Sequence, residues 1–258
     1  MNILVIKNNP DTPPCLVGDH LEAAGATLTT VLPHHGGALP AGSDGFDAAV
    51  ILGGPQHAGD DKNYPAFPPI LDLLREFHAQ EKPLLGLCLG SQLLARSFGE
   101  QVRRHEHFEI GYPEIEITPA GQDDPLLTGL APRQHIFQWH EDTFDVPKGA
   151  VHLMQGNLCR NQSFRYGRTA YAFQCHFEVS EELARTWLDN WGHTIAKYYD
   201  APRVEAELKR ARAGIVQHGR AAAEFCRVVT QRWADLVWRN RVARQPESPA
   251  ERKTPAAA

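Results

Sequence analysis

The first hundred residues alternate two patterns that few architectures accommodate. NILVIK (2–7), ATLTTVL (26–32), DAAVILG (47–53) and KPLLGLC (82–88) are short apolar or β-branched runs. Between and after them lie stretches with helical spacing, over 15–25 closing on Gly25, over 67–80, and over 91–99 closing on Gly99. Runs with no polar alternation must be buried on both faces, and strands separated by helices return parallel. The expected fold class is therefore α/β, a doubly wound, mostly parallel sheet with helices on both faces. In such a sheet, ligands bind at the carboxyl ends of the strands.

Over 101–118 and 134–176 the runs become short and aromatic or β-branched, separated by Gly, Pro and Asn turns, which predicts an antiparallel extension of the sheet. Ser180 is a good N-cap for a helix over 180–199, just beyond a strand expected to end at His176. After Pro202 the composition shifts to Ala, Arg and Glu, and Phe225, Val228, Val229, Trp233, Leu236 and Val237 share one helical face. The expected organisation is an α/β domain over 1–200 and a C-terminal helical appendage over 201–242, packed on the body or on a partner subunit. A Pro-rich polar tail over 243–258 is expected to be disordered.

At 258 residues the chain can bury a core without disulfides or metal. It has no apolar run near the length of a membrane span, and MNILVIKNNP lacks the basic and small-residue features of a signal peptide, so a cytoplasmic location without membrane attachment is expected. Five cysteines without a CxxC pair are expected to be free thiols. The net charge of −5 hides an asymmetry, because residues 203–258 hold twelve Lys/Arg against six Asp/Glu. Those charges are interleaved, which suits a solvated helix docked on an acidic body better than a nucleic-acid surface. No GxxxxGK[ST] or GxGxxG motif supports nucleotide binding. His34-His35 and His105-Glu106-His107 lack further ligands at usable spacing and are expected at the surface, so neither metal nor other cofactor is implied.

Gly86-Leu87-Cys88-Leu89-Gly90 follows an apolar strand and precedes a helix. A nucleophile projecting from the carboxyl edge of a sheet needs a sharp strand-to-helix turn, and flanking glycines let neighbouring backbone approach. A helix N-terminus beside the thiol favours its anion, and the Leu89 N–H stands where it could donate to an oxyanion. A thiol nucleophile also needs a base and a group to hold that base. In YAFQCHFEV, His176 and Glu178 lie two apart, so on a strand both would point to one side. Gly53-Gly54-Pro55, at the end of another strand, leaves the Gly54 N–H available as a second oxyanion donor. Cys175 would face away from His176 and into the core, and Cys15, Cys159 and Cys226 have no such turn.

GLCLGSQ, GGP and QCHFE, in this order, resemble the nucleophile, oxyanion-strand and His/Glu motifs of the class I (triad-type) glutamine amidotransferases. GGPQHAGDDKNYP, HFEIGYPEI, FQWHEDTFDVPKGA and NQSFRYG are similar to the stand-alone GMP synthase-like group, and the resemblance covers roughly residues 1–196. It implies the flavodoxin-like class I glutaminase fold, with Cys88 as nucleophile, His176 as acid/base, Glu178 as its orienter and the Gly54 and Leu89 N–H groups as oxyanion hole. Gln92 matches the family glutamine that contacts the γ-glutamyl group. His140 falls in a motif near the substrate pocket, a structural loop histidine being the other reading. Where the family often reads His-Pro-Glu, this chain has Phe177, and the residues after Pro202 lie outside the pattern.

The resemblance implies a cysteine hydrolase that cleaves a γ-glutamyl amide, glutamine to glutamate and ammonia, through a thioester. Two alternatives stay open: a free-standing hydrolase or peptidase of γ-glutamyl peptides or amines, and a non-catalytic binding or regulatory module. The implied partners are a small γ-glutamyl substrate, an ammonia-accepting synthase subunit if ammonia is passed on, and an oligomer through the C-terminal helices.

Overall fold

A computed structural model describes residues 1–244. Strands β1 (Asn2–Ile6), β2 (Thr27–Val31), β3 (Ala48–Ile51) and β4 (Leu84–Leu87) are interleaved with helices α1 (Cys15–Ala23) and α2 (Phe67–Ala79). Helix α3 (Leu89–Ser97) follows β4, and then come β5 (Val102–Gly111), β6 (Glu114–Ile117), the short α4 (Pro119–Gln122), β7 (Arg133–His135) and β8 (Gln138–Phe144). The chain continues through β9 (Val151–Gly156), β10 (Ser163–Tyr166), β11 (Ala170–Phe173), α5 (Glu181–Trp191) and α6 (Ala201–Arg244).

Nine strands form one sheet in the order β2-β1-β3-β4-β11-β10-β9-β6-β7. Pairing is parallel from β2 through β11 and antiparallel beyond it, so the sheet is mostly buried parallel at one end and antiparallel at the other. Strands β3 and β4 are buried at every position. Alternation along the strands splits them between two cores. Ile3, Val5, Val50, Leu85 and Leu87 face a cluster completed by α1 and α6, while Leu4, Ile6, Ala49, Ile51 and Leu84 face one completed by α2 and α3.

Helix α6 runs 44 residues without interruption. Phe225, Val229, Trp233 and Val237 of the anticipated apolar face are buried in the same cluster as the central strands, whereas Val228 and Leu236 are only partly covered. The face that could have met a partner subunit is thus occupied by the chain's own sheet. Among the described residues, no helix is long and apolar enough to cross a membrane. The tail expected to be disordered lies outside the described residues, except Ala243 and Arg244, which close α6.

Two local expectations are corrected. Strands β5 and β8 do not join the antiparallel extension but form a separate two-stranded ribbon. Gly111, at φ 90°, turns the chain out of that ribbon where α6 crosses, and a β-carbon there would lie 3.2 Å from that of Ala211. The helix predicted over 180–199 stops at Trp191 and tightens to a 3₁₀ segment over Gly192–Lys197. At Gly192 a β-carbon would meet Leu208 of α6 at 2.8 Å, so the chain passes close beneath that helix.

Candidate active site

The carboxyl ends of β3, β4 and β11 converge on one cavity of about 330 Å³. Cys88 forms the turn between β4 and α3 with φ 50° and ψ −111°, a conformation that costs a residue with a β-carbon on the order of 1–3 kcal/mol. Its N–H donates to the Phe173 carbonyl at 2.8 Å, and its carbonyl accepts from the Ser91 hydroxyl at 2.6 Å and from the Ser91 N–H at 2.9 Å. These bonds hold the strained residue between β11 and the first turn of α3.

The flanking glycines provide clearance, since neither has a positive φ. A β-carbon on Gly86 would lie 2.5 Å from the Gly90 carbonyl oxygen, and one on Gly90 would collide with the Ile51 carbonyl. The helix start is therefore seated directly on the ends of β3 and β4.

His176 and Glu178 meet, although not by strand alternation. Strand β11 ends at Phe173, three residues short of the expected end, and residues 174–179 are irregular. Their backbone is pinned instead, because the His176 N–H donates to Phe137 at 2.8 Å and the Leu16 N–H to the Glu178 carbonyl at 3.0 Å. Within this bend His176 Nδ1 and Glu178 Oε1 are 2.7 Å apart, with both side chains buried. Both His176 and Cys88 press against Gly53, whose β-carbon would lie 3.0 Å from the imidazole Cε1 and 3.5 Å from the Cys88 β-carbon. Burial alone would lower the imidazole pKa, but the neighbouring Cys88 and Glu178, the latter also hydrogen-bonded to the ring, raise it well above 6.5. The arrangement favours the imidazolium form of His176.

Gly54 lines the cavity, and among the described residues neither its N–H nor that of Leu89 donates to a protein acceptor. The loop carrying Gly54 is braced from the loop after β1: the Asn8 amide donates to the Leu52 carbonyl at 2.7 Å, the Thr12 hydroxyl to the Gly53 carbonyl at 3.1 Å and the Gln56 amide to the Asn8 carbonyl at 2.6 Å. Gln92 also lines the cavity, and its amide donates to Gln174 at 3.2 Å.

His140 stands in the cavity wall, yet both its nitrogens are occupied. Nε2 is 2.9 Å from Glu109 Oε2, and Nδ1 is 2.9 Å from the Asp142 carbonyl. Its ring shapes the wall without offering a free hydrogen bond. Glu109, His140 and Cys159 are close enough to suggest a metal centre. The donors argue otherwise: the Cys159 N–H, at 3.0 Å, and the Gln162 amide, at 2.8 Å, also donate to Glu109, filling the carboxylate. Burial first and the Glu109 charge second push the Cys159 thiol up to about 12, so it is a poor ligand. The group is a buried hydrogen-bond network that reaches the cavity wall through His140. His105 and His107 lie on β5, where the ring of one bonds the backbone of the other.

Residues Glu109, Asp142 and Trp187 are not singled out by the sequence. Trp187 of α5 packs edge-on against His176, ring centroids 5.2 Å apart and planes at 88°. Only the tertiary fold brings α5 there, and no local motif announces it.

The family model for glutamine amidotransferase class-I matches residues 19–193. The chain belongs to that family. This class-I glutamine amidotransferase is 32% identical over 164 residues to the putative glutamine amidotransferase-like protein YfeJ of Salmonella typhimurium, covering 62% of this chain and 69% of that one. It is 32% identical over 155 residues to one subunit of the glutamine-hydrolysing GMP synthase of Methanosarcina barkeri, covering 59% and 75%. Among solved structures, a glutamine amidotransferase from Methylobacillus flagellatus superposes with a TM-score of 0.81 at 27% identity, over 91% of this chain and 94% of that one. One from Thermotoga maritima gives 0.78 at 26% identity, over 91% and 98%. The family model ends at residue 193, so the residues after Pro202 lie outside it, while the structural superpositions extend over 91% of the chain.

Proposed function

We propose that this class-I glutamine amidotransferase hydrolyses a γ-glutamyl amide, glutamine in the first instance, using Cys88, His176 and Glu178. The observation that carries the reading is the buried His176–Glu178 pair, 2.7 Å apart, resting on the same glycine as a cysteine held at a strained strand-to-helix turn. The Cys88 sulfur attacks the amide carbon, its proton taken up by His176. Negative charge gathers on the carbonyl oxygen, where the Gly54 and Leu89 N–H groups receive it. Protonated His176 passes its proton to the leaving nitrogen, which departs as ammonia. The imidazole, oriented by Glu178, then takes a proton from water as that water attacks the γ-glutamyl thioester. Glutamate leaves and the thiol is restored.

The similarity to part of a GMP synthase supports a partnered role, in which an ammonia-using synthase takes up the product. The aromatic wall of the cavity, with Phe108, Trp139, Trp187 and Trp191, supports the second reading, a free-standing hydrolase of larger γ-glutamyl amides. Purified protein incubated with glutamine and with γ-glutamyl peptides, scored for ammonia and free amine, separates the two. Release of neither, with Cys88 inert to a glutamine-like alkylating reagent, would sink the hydrolase reading altogether.

A further inference from the structure

The wall of the cavity supplied by β8 holds one buried carboxylate with an oxygen that accepts no hydrogen bond among the described residues. Asp142 lies on β8, two residues past His140, and lines the cavity with its side chain 5% exposed. Its Oδ2 is 2.7 Å from His57 Nδ1. Its Oδ1 accepts no hydrogen bond among the described residues and is held only by a long ion pair, 3.5 Å, to Nε of the largely exposed Arg104. A buried acceptor left without a donor is costly and rare in folded proteins, so it points to a partner that arrives with a ligand.

The strand connects this oxygen to the reacting centre. The Trp139 carbonyl, three residues before Asp142, is 3.9 Å from the Cys88 sulfur. The β8 backbone thus runs from the thiol along the cavity wall, and Asp142 projects from it about 10 Å further on. A γ-glutamyl group bound as a thioester at Cys88 would extend along the same wall, carrying a primary ammonium at the far end of its chain.

We propose that Asp142 Oδ1 is the receptor for a primary ammonium group of the substrate. The inference rests on the γ-glutamyl reading above and adds to it a residue that fixes the substrate's charge. Two parts of a substrate offer this chemistry: the α-ammonium of the γ-glutamyl group, and a terminal ammonium on a diamine leaving group. His57 orients the carboxylate through its other oxygen, and the aromatic lining of the same cavity, Phe108, Trp139 and Trp187, strengthens the pairing by excluding water.

The experiment pairs ligands with and without each ammonium in wild-type and Asp142→Asn protein. L-Glutamine is compared with 4-carbamoylbutanoate, which lacks the α-ammonium, and γ-glutamyl-1,4-diaminobutane with γ-glutamyl-butylamide, which lacks the terminal one. Asp142→Asn lowers kcat/KM for the ammonium-bearing member of one pair about 10- to 100-fold and changes the other member less than about twofold. The pair that responds identifies which ammonium is held. Equal loss on all four ligands, or no loss on any, overturns the assignment. Asp142→Ser replaces the Asn variant if that one fails to fold, as judged by circular dichroism. If wild-type protein turns over none of the four, the γ-glutamyl hydrolase reading fails. Calorimetric binding of the same ligands to Cys88→Ala protein, with and without Asp142→Asn, still decides the subsite.

Discussion

A β-carbon on Gly90 would collide with the carbonyl oxygen of Ile51, one strand away from the turn that carries Cys88. Helix α3 can therefore start where it does only if position 90 has no side chain, and the thiol's location depends on that contact. Gly90→Ala is expected to destabilise the protein by about 3 kcal/mol, since backbone on β3 must shift to admit one methyl group. Urea unfolding measures it; an unchanged midpoint would show that the seat is softer than the geometry implies.

Cys88 carries backbone strain that serves the reaction and burdens the fold. Cys88→Gly and Cys88→Ala both remove the sulfur, but only alanine keeps a β-carbon at φ 50°. The glycine variant is expected to be more stable than the alanine variant by about 1 kcal/mol or more, with neither able to form a thioester. Thermal unfolding of the two side by side, with mass spectrometry after glutamine addition, tests both halves.

The His176 imidazole should titrate well above 6.5, because the charges of Cys88 and Glu178 overcome the lowering effect of burial. Cys88 is the larger of the two raising charges, so Cys88→Ala moves the titration to lower pH. The sign follows for stability: a raised His pKa stabilises the folded state below 6.5, and that stabilisation is lost as pH rises through the folded value. Imidazole NMR signals followed against pH in both proteins report the shift directly. Titration at the same pH in the two would remove the coupling.

Glu109, paired with His140, keeps its charge. Burial alone would raise its pKa, but His140, the Cys159 N–H and the Gln162 amide together bring it below 4.5. Glu109→Gln replaces a carboxylate that accepts from the Cys159 N–H and the Gln162 amide by a neutral amide, and is expected to cost about 1.5–3 kcal/mol at neutral pH. A depressed carboxylate stabilises above its unfolded pKa, so the wild-type advantage fades only below about pH 4.5. Denaturant curves at neutral pH and at pH 4 compare the two; a gap already closed near pH 6 contradicts the assignment.

Trp233 is fully buried between α6 and the sheet. Trp233→Ala is expected to cost about 3–5 kcal/mol by leaving a cavity in the core shared with β1, β3 and β4. A loss below about 1 kcal/mol in guanidinium unfolding would mean that α6 is a loosely attached element after all.

The sequence by itself determined whatever is local. Unbroken apolar runs at β3 and β4 required a sheet covered on both faces, and a cysteine flanked by glycines between strand and helix announced the exposed turn. His176 and Glu178 were legible as a pair, but for a reason the fold replaced, since their backbone is a bend held by Phe137 and Leu16 rather than a strand. Tertiary structure alone decided the long-range contacts. Asp142 meets His57 across 85 residues of chain, Trp187 reaches His176 from a helix that no motif links to it, and α6 closes a core begun at β1. The physical reason is that periodicity and turn chemistry record how a segment prefers to fold, while an amphipathic face or a lone carboxylate says only that a partner is required. Which partner it meets is settled when the layers pack.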